Sequence, residues 1–521
     1  MKAFVDSIAA GARPSIAQCV EALGGAIPAM FSLKDTPQDP GWHAEGNVFV
    51  HTGMVLDALY ALLEGRAASI TGHRRTALIL GAALDPTATR AGRAARVGFL
   101  LEDGDFHADA ATLSAAGTDH LERIAGRIEH VRVPIVVAAT GNSDLDNGRR
   151  YATMADFERL VKVNQTLEYT HHSGLVICEP TDVPVNKRHL DMLAMHFRYG
   201  SKPLLGAITA PERALDSIEM ARLVFDDGFL EDHCVIMGNI NVNSPLVFDG
   251  QVTQVIRHYA AANQGMVICP FILGGAMGPV TPAGAVAQAH AEAMVGVALT
   301  QLVRPGAPAI YGNFLTTMSL RSGAPTFGTP EAGLAYFAVG QLARRLGIPV
   351  RCGGAYTSAK LPDAQAAQES ANSMLTAMMS GANFVLHAAG WLEGGLVMDY
   401  EKLVLDNDRL GMLHHMLRGM PLDDNAFAMD GFHEVGPGSH FLGSAHTLAN
   451  YETAYYESTF GDSMSWEQWR EEGEVDARQR ANADWKARLE NYEQPPLAPG
   501  VDEALDGYVA KKKDAVPDAW Y

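Results

Sequence analysis

The stretch richest in possible chemistry is Asn383–Leu396. His387, Trp391 and Glu393 stand within seven residues of one another there, separated by glycines that allow unusual backbone angles. An imidazole can orient a substrate or carry a proton, an indole face attracts a cation, and a carboxylate neutralises one. The plainer alternative is a histidine satisfied by backbone, with the tryptophan as packing. A second cluster is Cys352–Gln365. Gly353 and Gly354 leave an apolar run, Tyr356, Thr357 and Ser358 follow, and a helix opens after Asp363. Amides at such a turn can hold a carboxylate, or the turn can be an ordinary loop with an Asp cap. A third group is Phe271–Pro282 with Tyr311, Gly312, Asn313 and Phe314. Its glycines, Gly274 and Gly275 among them, are followed by no Gly-Lys-Ser/Thr and form no GxGxxG, so a phosphate cradle is a poor reading. Close approach of a large flat partner fits better. Asn239 and Asn241 also follow an apolar run, and their amides either orient a substrate or satisfy loop backbone.

Other candidates are weaker. His171, His172, His433, His440 and His446 have no metal-ligand spacing, so they read as polar loop residues and no metal site is expected. The five cysteines, Cys19, Cys178, Cys234, Cys269 and Cys352, are far apart and contain no CxxC. They read as small buried residues rather than disulfide partners.

These groups need a scaffold, and the chain supplies one in a repeating rhythm. Short apolar runs recur roughly every 30–40 residues with helical stretches between them, the period of βα units. The runs are 174–178, 203–208, 234–238, 266–270, 307–311, 348–352 and 383–387, with an eighth at 133–138. Continuous apolar strands suit a parallel sheet covered on both faces. Eight units point to a TIM-type (β/α)8 barrel with helical N- and C-terminal extensions, a doubly wound sheet being the alternative. In such a barrel reacting groups sit where strands end, which is where the clusters above fall. The spacing predicts helices over 285–302 and 364–380. We divide the chain into a helical region 1–125, a barrel 126–465 and a helical extension with tail 466–521.

With 40 Lys and Arg against 60 Asp and Glu, the formal net charge of −20 disfavours nucleic-acid binding. Neither a membrane span nor a signal peptide is apparent, so the cytoplasm is the expected compartment. The tail is expected to wrap the barrel or join a subunit interface, and a homo-oligomer is expected.

Several of these segments together resemble the trimethylamine:corrinoid methyltransferase superfamily: Asp144–Asp156, Lys202–Gly206, Gly274–Thr281, Tyr311-Gly312, Gly353-Gly354, Asp363–Ser370, His387–Gly395 and Glu401-Lys402. The resemblance covers about residues 130 to 500. It implies a TIM barrel that passes a methyl group from a methylated amine to the Co(I) of a corrinoid (cobalamin) carried by a small partner protein, with no metal of its own. On that reading His387 and Glu393 are catalytic, and Trp391, Tyr311, Phe314, Tyr356, Asn239 and Asn241 hold the substrate. Gly274, Gly275, Gly353 and Gly354 face the cofactor. Founding members carry pyrrolysine, whereas every residue here is standard. A substrate that is already quaternary, such as glycine betaine, is therefore favoured over trimethylamine, and His387 or the amides after Gly354 would take its carboxylate. Two competitors use the same scaffold: a TIM-barrel lyase or decarboxylase, and a non-catalytic methylamine-binding protein. Near the N-terminus, Trp42–Asp57 resembles the opening of an HD-type phosphohydrolase. The His-Asp pair such a site needs is replaced by Ala82-Ala83-Leu84-Asp85, so a degenerate segment is expected.

Overall fold

The computed structural model describes Gln18, residues 133–136 and residues 141–520. The N-terminal region 1–125 with its Trp42–Asp57 segment, and Cys19, lie outside the described residues.

Eight parallel strands close into a ring. They are β1 (Val133–Val136), β2 (His172–Ser173), β3 (Leu204–Leu205), β4 (Ile236–Val242), β5 (Gly265–Gly274), β6 (Ala309–Gly312), β7 (Val350–Gly353) and β8 (Phe384–Leu386). Each pairs with the next in sequence, and β8 pairs back onto β1. The open doubly wound alternative is thereby excluded. The longest strand, β5, is apolar at every position over its first half. Met266, Val267, Ile268 and Cys269 on β5 are all fully buried, as strands covered on both faces must be.

Seven of the eight expected runs carry the strands. The run 174–178 does not. The chain leaves the ladder at Gly174, and the paired residues are His172 and Ser173. Leu175, Ile177 and Cys178 are apolar because they are buried in the loop over the barrel end, not because they pair. His172 is accordingly no loop residue. It is packed edge-on against Phe384, and burial drives its pKa down to about 3. His171, just before it, lies edge-on to His414. The two expected helices appear as Pro282–Val303 and Ala364–Met379, the second capped by Asp363, whose side chain accepts from the Ala366 amide.

Two additions raise the wall at the C-terminal end of the barrel. One is a four-stranded sheet joining Gly141–Asp144 and Gly148–Tyr151 to Trp391–Leu392 and Val397–Asp399. Its first hairpin follows from Asp144-Leu-Asp-Asn-Gly148. The Asp144 carboxylate accepts from the Asp146 and Asn147 amides, and Gly148 takes φ +66°. The other is Phe314–Met318, which pairs alongside the far end of β5 and carries Pro325–Thr326 on its outer edge.

After β8 the helix Tyr400–Arg418 returns to the N-terminal end of the barrel. The helix Ala477–Glu490 packs on it, with Trp485 Nε1 and Asn482 Nδ2 both donating to the buried Glu401 at 2.9 Å. The helix Val501–Asp514 lies across Arg188–Tyr199 and Pro211–Phe225, tied by Arg198 to Asp502 (2.6 Å) and Asp506 (2.7 Å). Among the described residues no helix is long and apolar enough to cross a membrane.

Candidate active site

The ends of β3, β4, β7 and β8 and the loop after β2 enclose a cavity of about 300 Å³ at the mouth of the barrel. His387 stands at the end of β8 with φ +58°, a left-handed angle rare for a residue with a Cβ. The angle is held by its neighbours, since its carbonyl accepts from the Ala355 amide at 2.8 Å. Its Nδ1 faces two groups, Tyr356 Oη at 3.0 Å and Arg351 Nη2 at 3.2 Å. A guanidinium only donates, so Nδ1 is the lone-pair nitrogen and the proton is assigned to Nε2. Burial, and then the Arg351 charge, hold His387 well below the usual histidine range. The imidazole is therefore neutral and offers the cavity an N–H.

Arg351 is the anchor behind it. The side chain is fully buried on β7. Nη1 donates to the Asn313 carbonyl at 2.8 Å and to Cys269 Sγ at 3.1 Å, and Nη2 donates also to Tyr356 Oη at 3.2 Å. Its Nε has no partner, and no carboxylate lies within ion-pair distance among the described residues. A buried charge is normally paired or expelled. Here the positive charge has no carboxylate partner among the described residues and lies 5.3 Å from the centroid of the Phe314 ring, beside a cavity.

The remaining polar wall is also basic. Among the described residues Arg213 donates to the Thr209 hydroxyl alone, at 2.8 Å, and burial lowers its pKa. Arg188 is matched by Glu179 at 2.7 Å. His189 gives Nε2 to Asp216 at 3.0 Å, and Asp216 in turn takes Tyr508 Oη at 2.8 Å and Lys512 Nζ at 2.6 Å from the helix Val501–Asp514. Burial would raise the Asp216 pKa, but His189, Lys512 and Tyr508 hold it at about 2. Asn239 and Asn241, two apart on β4, share the inward face and line the cavity, as strand alternation requires.

An aromatic stack forms one flank. Phe314 lines the cavity and lies parallel to Tyr356 with centroids 5.0 Å apart. Tyr356 meets Trp391 at 4.6 Å, and Phe327 stands edge-on to Trp391 at 4.8 Å. Gly353 makes the stack possible, since a Cβ there would stand 1.6 Å from the Tyr356 ring.

The structure thus gathers His387, Tyr356, Phe314, Trp391, Asn239 and Asn241. Trp391 and Tyr356 are buried behind the wall rather than facing the cavity. Two expected members are elsewhere. Tyr311 is fully buried, bonded to His290 Nδ1 at 3.0 Å, and does not line the cavity. Glu393 points outward to Arg149, with Nε at 2.8 and 3.0 Å from its two oxygens, because the turn after Trp391 carries it onto the four-stranded sheet. Gly353 and Gly354 are buried, and their missing Cβ positions are filled by Tyr356 and by the backbone at Ala388. Gly274 and Gly275 sit on the rim, Gly275 at φ +94°. Arg351, Arg213 and His189 escaped the sequence reading. The available signal for Arg351 was a lone arginine inside the apolar run 348–352.

A family model described as trimethylamine methyltransferase (MTTB) matches residues 123–517. The glycine betaine methyltransferase of Desulfitobacterium hafniense (strain Y51) is 36% identical over 370 residues, which span 71% of this chain and 77% of that enzyme. Trimethylamine methyltransferase MttB2 of Methanosarcina mazei is 32% identical over 273 residues, 51% of this chain and 54% of its own length. Trimethylamine methyltransferase MttB of Desulfitobacterium hafniense (strain DSM 10664 / DCB-2) is 30% identical over 276 residues, 53% and 55% of the two chains.

Proposed function

The chain belongs to the trimethylamine methyltransferase family, and from that premise we propose that it removes a methyl group from a betaine, a quaternary methylammonium bearing a carboxylate, and passes it to a corrinoid on a small partner protein. The observation that carries the choice of substrate is Arg351. A simple methylamine has no group to answer a buried, unpaired guanidinium, whereas a carboxylate does. The anion would accept from His387 Nε2–H, with Arg351 acting through the imidazole and through its field. Arg213 provides a second, more accessible positive charge on the same cavity.

A reduced corrinoid supplies, when bound, the nucleophile that takes the methyl carbon. The protein's share is to hold a cation in one orientation and keep water away. Phe314 is an apolar wall of the cavity, its ring stacked on Tyr356 and facing the Arg351 guanidinium. Because the nitrogen is quaternary, the product amine leaves neutral and no proton transfer is required, which agrees with a histidine held neutral. Glu393 has no part in this step. The rim fits the partner's role. Val280, Leu320, Leu361 and Leu396, all in loops following barrel strands, are at least half exposed. Val280 and Leu320 flank Gly275 within 4.0 Å of where its Cβ would be. An apolar rim around a bare glycine turn suits the approach of a flat macrocycle held by another protein.

The test mixes the protein with cob(I)alamin and adds glycine betaine, carnitine, proline betaine or trimethylamine singly, following loss of the Co(I) absorbance. Conversion with a betaine and not with trimethylamine is expected. Conversion with trimethylamine alone would overturn the substrate, and conversion with none, even with a cognate corrinoid protein, would overturn the reaction.

A further inference from the structure

The helix Tyr400–Arg418 carries a buried ion pair behind the cavity wall. Lys402 and Asp406 stand one turn apart, each side chain 3% exposed, with Lys402 Nζ 2.5 Å from Asp406 Oδ2. Neither lines the cavity. A buried ion pair adds little stability over apolar side chains of the same volume, so stability alone does not account for it. Its contacts are more telling. Lys402 Nζ donates to the Ser370 hydroxyl at 3.0 Å and to the Ala355 carbonyl at 3.4 Å. The Ser370 hydroxyl donates to that same carbonyl at 3.3 Å. Asp406 Oδ2 accepts from the Gly390 amide at 3.0 Å, and its Oδ1 accepts from Arg409 Nη1 at 3.1 Å.

Those two backbone groups frame His387. The Ala355 amide donates to the His387 carbonyl at 2.8 Å, and Ala355 precedes Tyr356, whose hydroxyl meets His387 Nδ1. Gly390 closes the turn that His387 opens, and Trp391 follows it. The turn has left-handed angles at both ends, φ +58° at His387 and +80° at Gly390. Such an angle costs energy in a residue with a Cβ and persists only where its surroundings fix it. The surroundings here are one helix start. Lys402 acts at Ala355, Asp406 acts at the Gly390 amide, and the Asp399 amide donates to the Gly390 carbonyl at 2.9 Å.

We propose that Lys402 and Asp406 are positioning residues: joined as an ion pair, they clamp together the turns after β7 and β8 and so fix the direction in which His387 offers Nε2–H to the cavity. The proposal rests on the functional reading, in which that N–H meets the substrate carboxylate. An ion pair suits the task because one unit supplies a donor to a carbonyl and an acceptor to an amide. Apolar side chains in its place would leave the buried Gly390 amide unsatisfied.

The test is Lys402→Met, which keeps the stem and leaves Asp406 its contacts with Arg409 and the Gly390 amide. Displacing a bound group by about 1 Å can cost on the order of 100-fold, so KM for glycine betaine on cob(I)alamin should rise by about tenfold or more. Tetramethylammonium, which has no carboxylate for His387 to meet, should change far less. Lys402→Gln, which keeps a donor of similar reach, should recover part of the loss. Ser370→Ala is small enough to fold in any case. It removes the hydroxyl between Lys402 and the Ala355 carbonyl and should raise the betaine KM roughly two- to tenfold. NMR of the histidine ring nitrogens gives a readout independent of turnover. The His387 resonance, identified by its loss in His387→Ala, should shift in Lys402→Met. A wild-type chain inactive with every betaine overturns the functional reading, and the resonance then decides the clamp by itself. An equal loss for both substrates, or an unmoved His387 resonance, overturns the proposal and makes the pair purely structural. If Lys402→Met fails to fold, an unchanged betaine KM in Ser370→Ala overturns it.

Discussion

Replacing Arg351 by Met tests the anion anchor directly. Met keeps most of the stem's volume and removes the charge and every donor. Four hydrogen bonds disappear, to the Asn313 carbonyl, Cys269, Tyr356 and His387. So does a buried charge without a counter-ion, which offsets part of their loss, and the fold should survive with a lowered melting temperature. The binding effect is more selective. The bound carboxylate would keep its bond to His387 Nε2–H but lose the field behind it and the Nδ1 contact that orients the ring, an effect comparable to one hydrogen bond to a charged group, about 1.5–3 kcal/mol. A loss of about 2–3 kcal/mol corresponds to roughly a 30- to 150-fold rise in KM for a betaine, with kcat changed far less. Tetramethylammonium, which has no carboxylate, should lose little. Because Arg351 is fully buried and reaches the cavity through His387, the double variant Arg351→Met, His387→Ala should cost much less than the sum of the singles. Steady-state kinetics on cob(I)alamin with both amines gives all four numbers. An equal loss for the substrates with and without a carboxylate would refute the reasoning and make Arg351 a purely structural residue.

Two more substitutions probe the surroundings. Gly353→Ala would place a Cβ 1.6 Å from the Tyr356 ring, so it should cost about 1–3 kcal/mol of stability and push Tyr356 off His387, seen as a lower melt and a lower kcat/KM together. Asp399, which caps the helix Tyr400–Arg418 through the Lys402 amide, is pushed up to about 7 by burial and by Glu401. In the unfolded chain it titrates near 3.8, so between about pH 4 and 7 the unfolded state gives up a proton that the folded state keeps, and stability falls as pH rises through that window by on the order of 4 kcal/mol. Asp399→Asn retains the cap and should flatten that slope in denaturant titrations, whereas an unchanged slope would assign it to other groups.

The barrel was legible because its signal is repeated. Eight apolar runs at one spacing constrain each other, and a single slip, 174–178 for His172–Ser173, left the ring intact. That slip has a physical cause, since burial makes a loop as apolar as a strand. The site was legible in part. His387 was found because a strand end delivers it to the mouth, and Tyr356 and Phe314 because aromatic residues followed glycine turns. Glu393 misled because three residues of turn geometry decide whether a carboxylate faces inward or meets Arg149. Arg351, Arg213 and His189 come from three separate βα units, and only the closed ring brings them to one cavity.

The helix Val501–Asp514 has a consequence for how the enzyme comes into being. It fixes Asp216, which fixes His189 on the cavity wall, and beyond it Asp518 meets Lys187 at 2.6 Å and the Ala519 carbonyl takes the Val185 amide at 2.8 Å. The cavity wall is thus fastened by residues made between 292 and 333 positions later. A chain still being translated would hold a closed ring of strands but a slack pocket, and it would gain its grip on substrate only when the ribosome had released the closing segment.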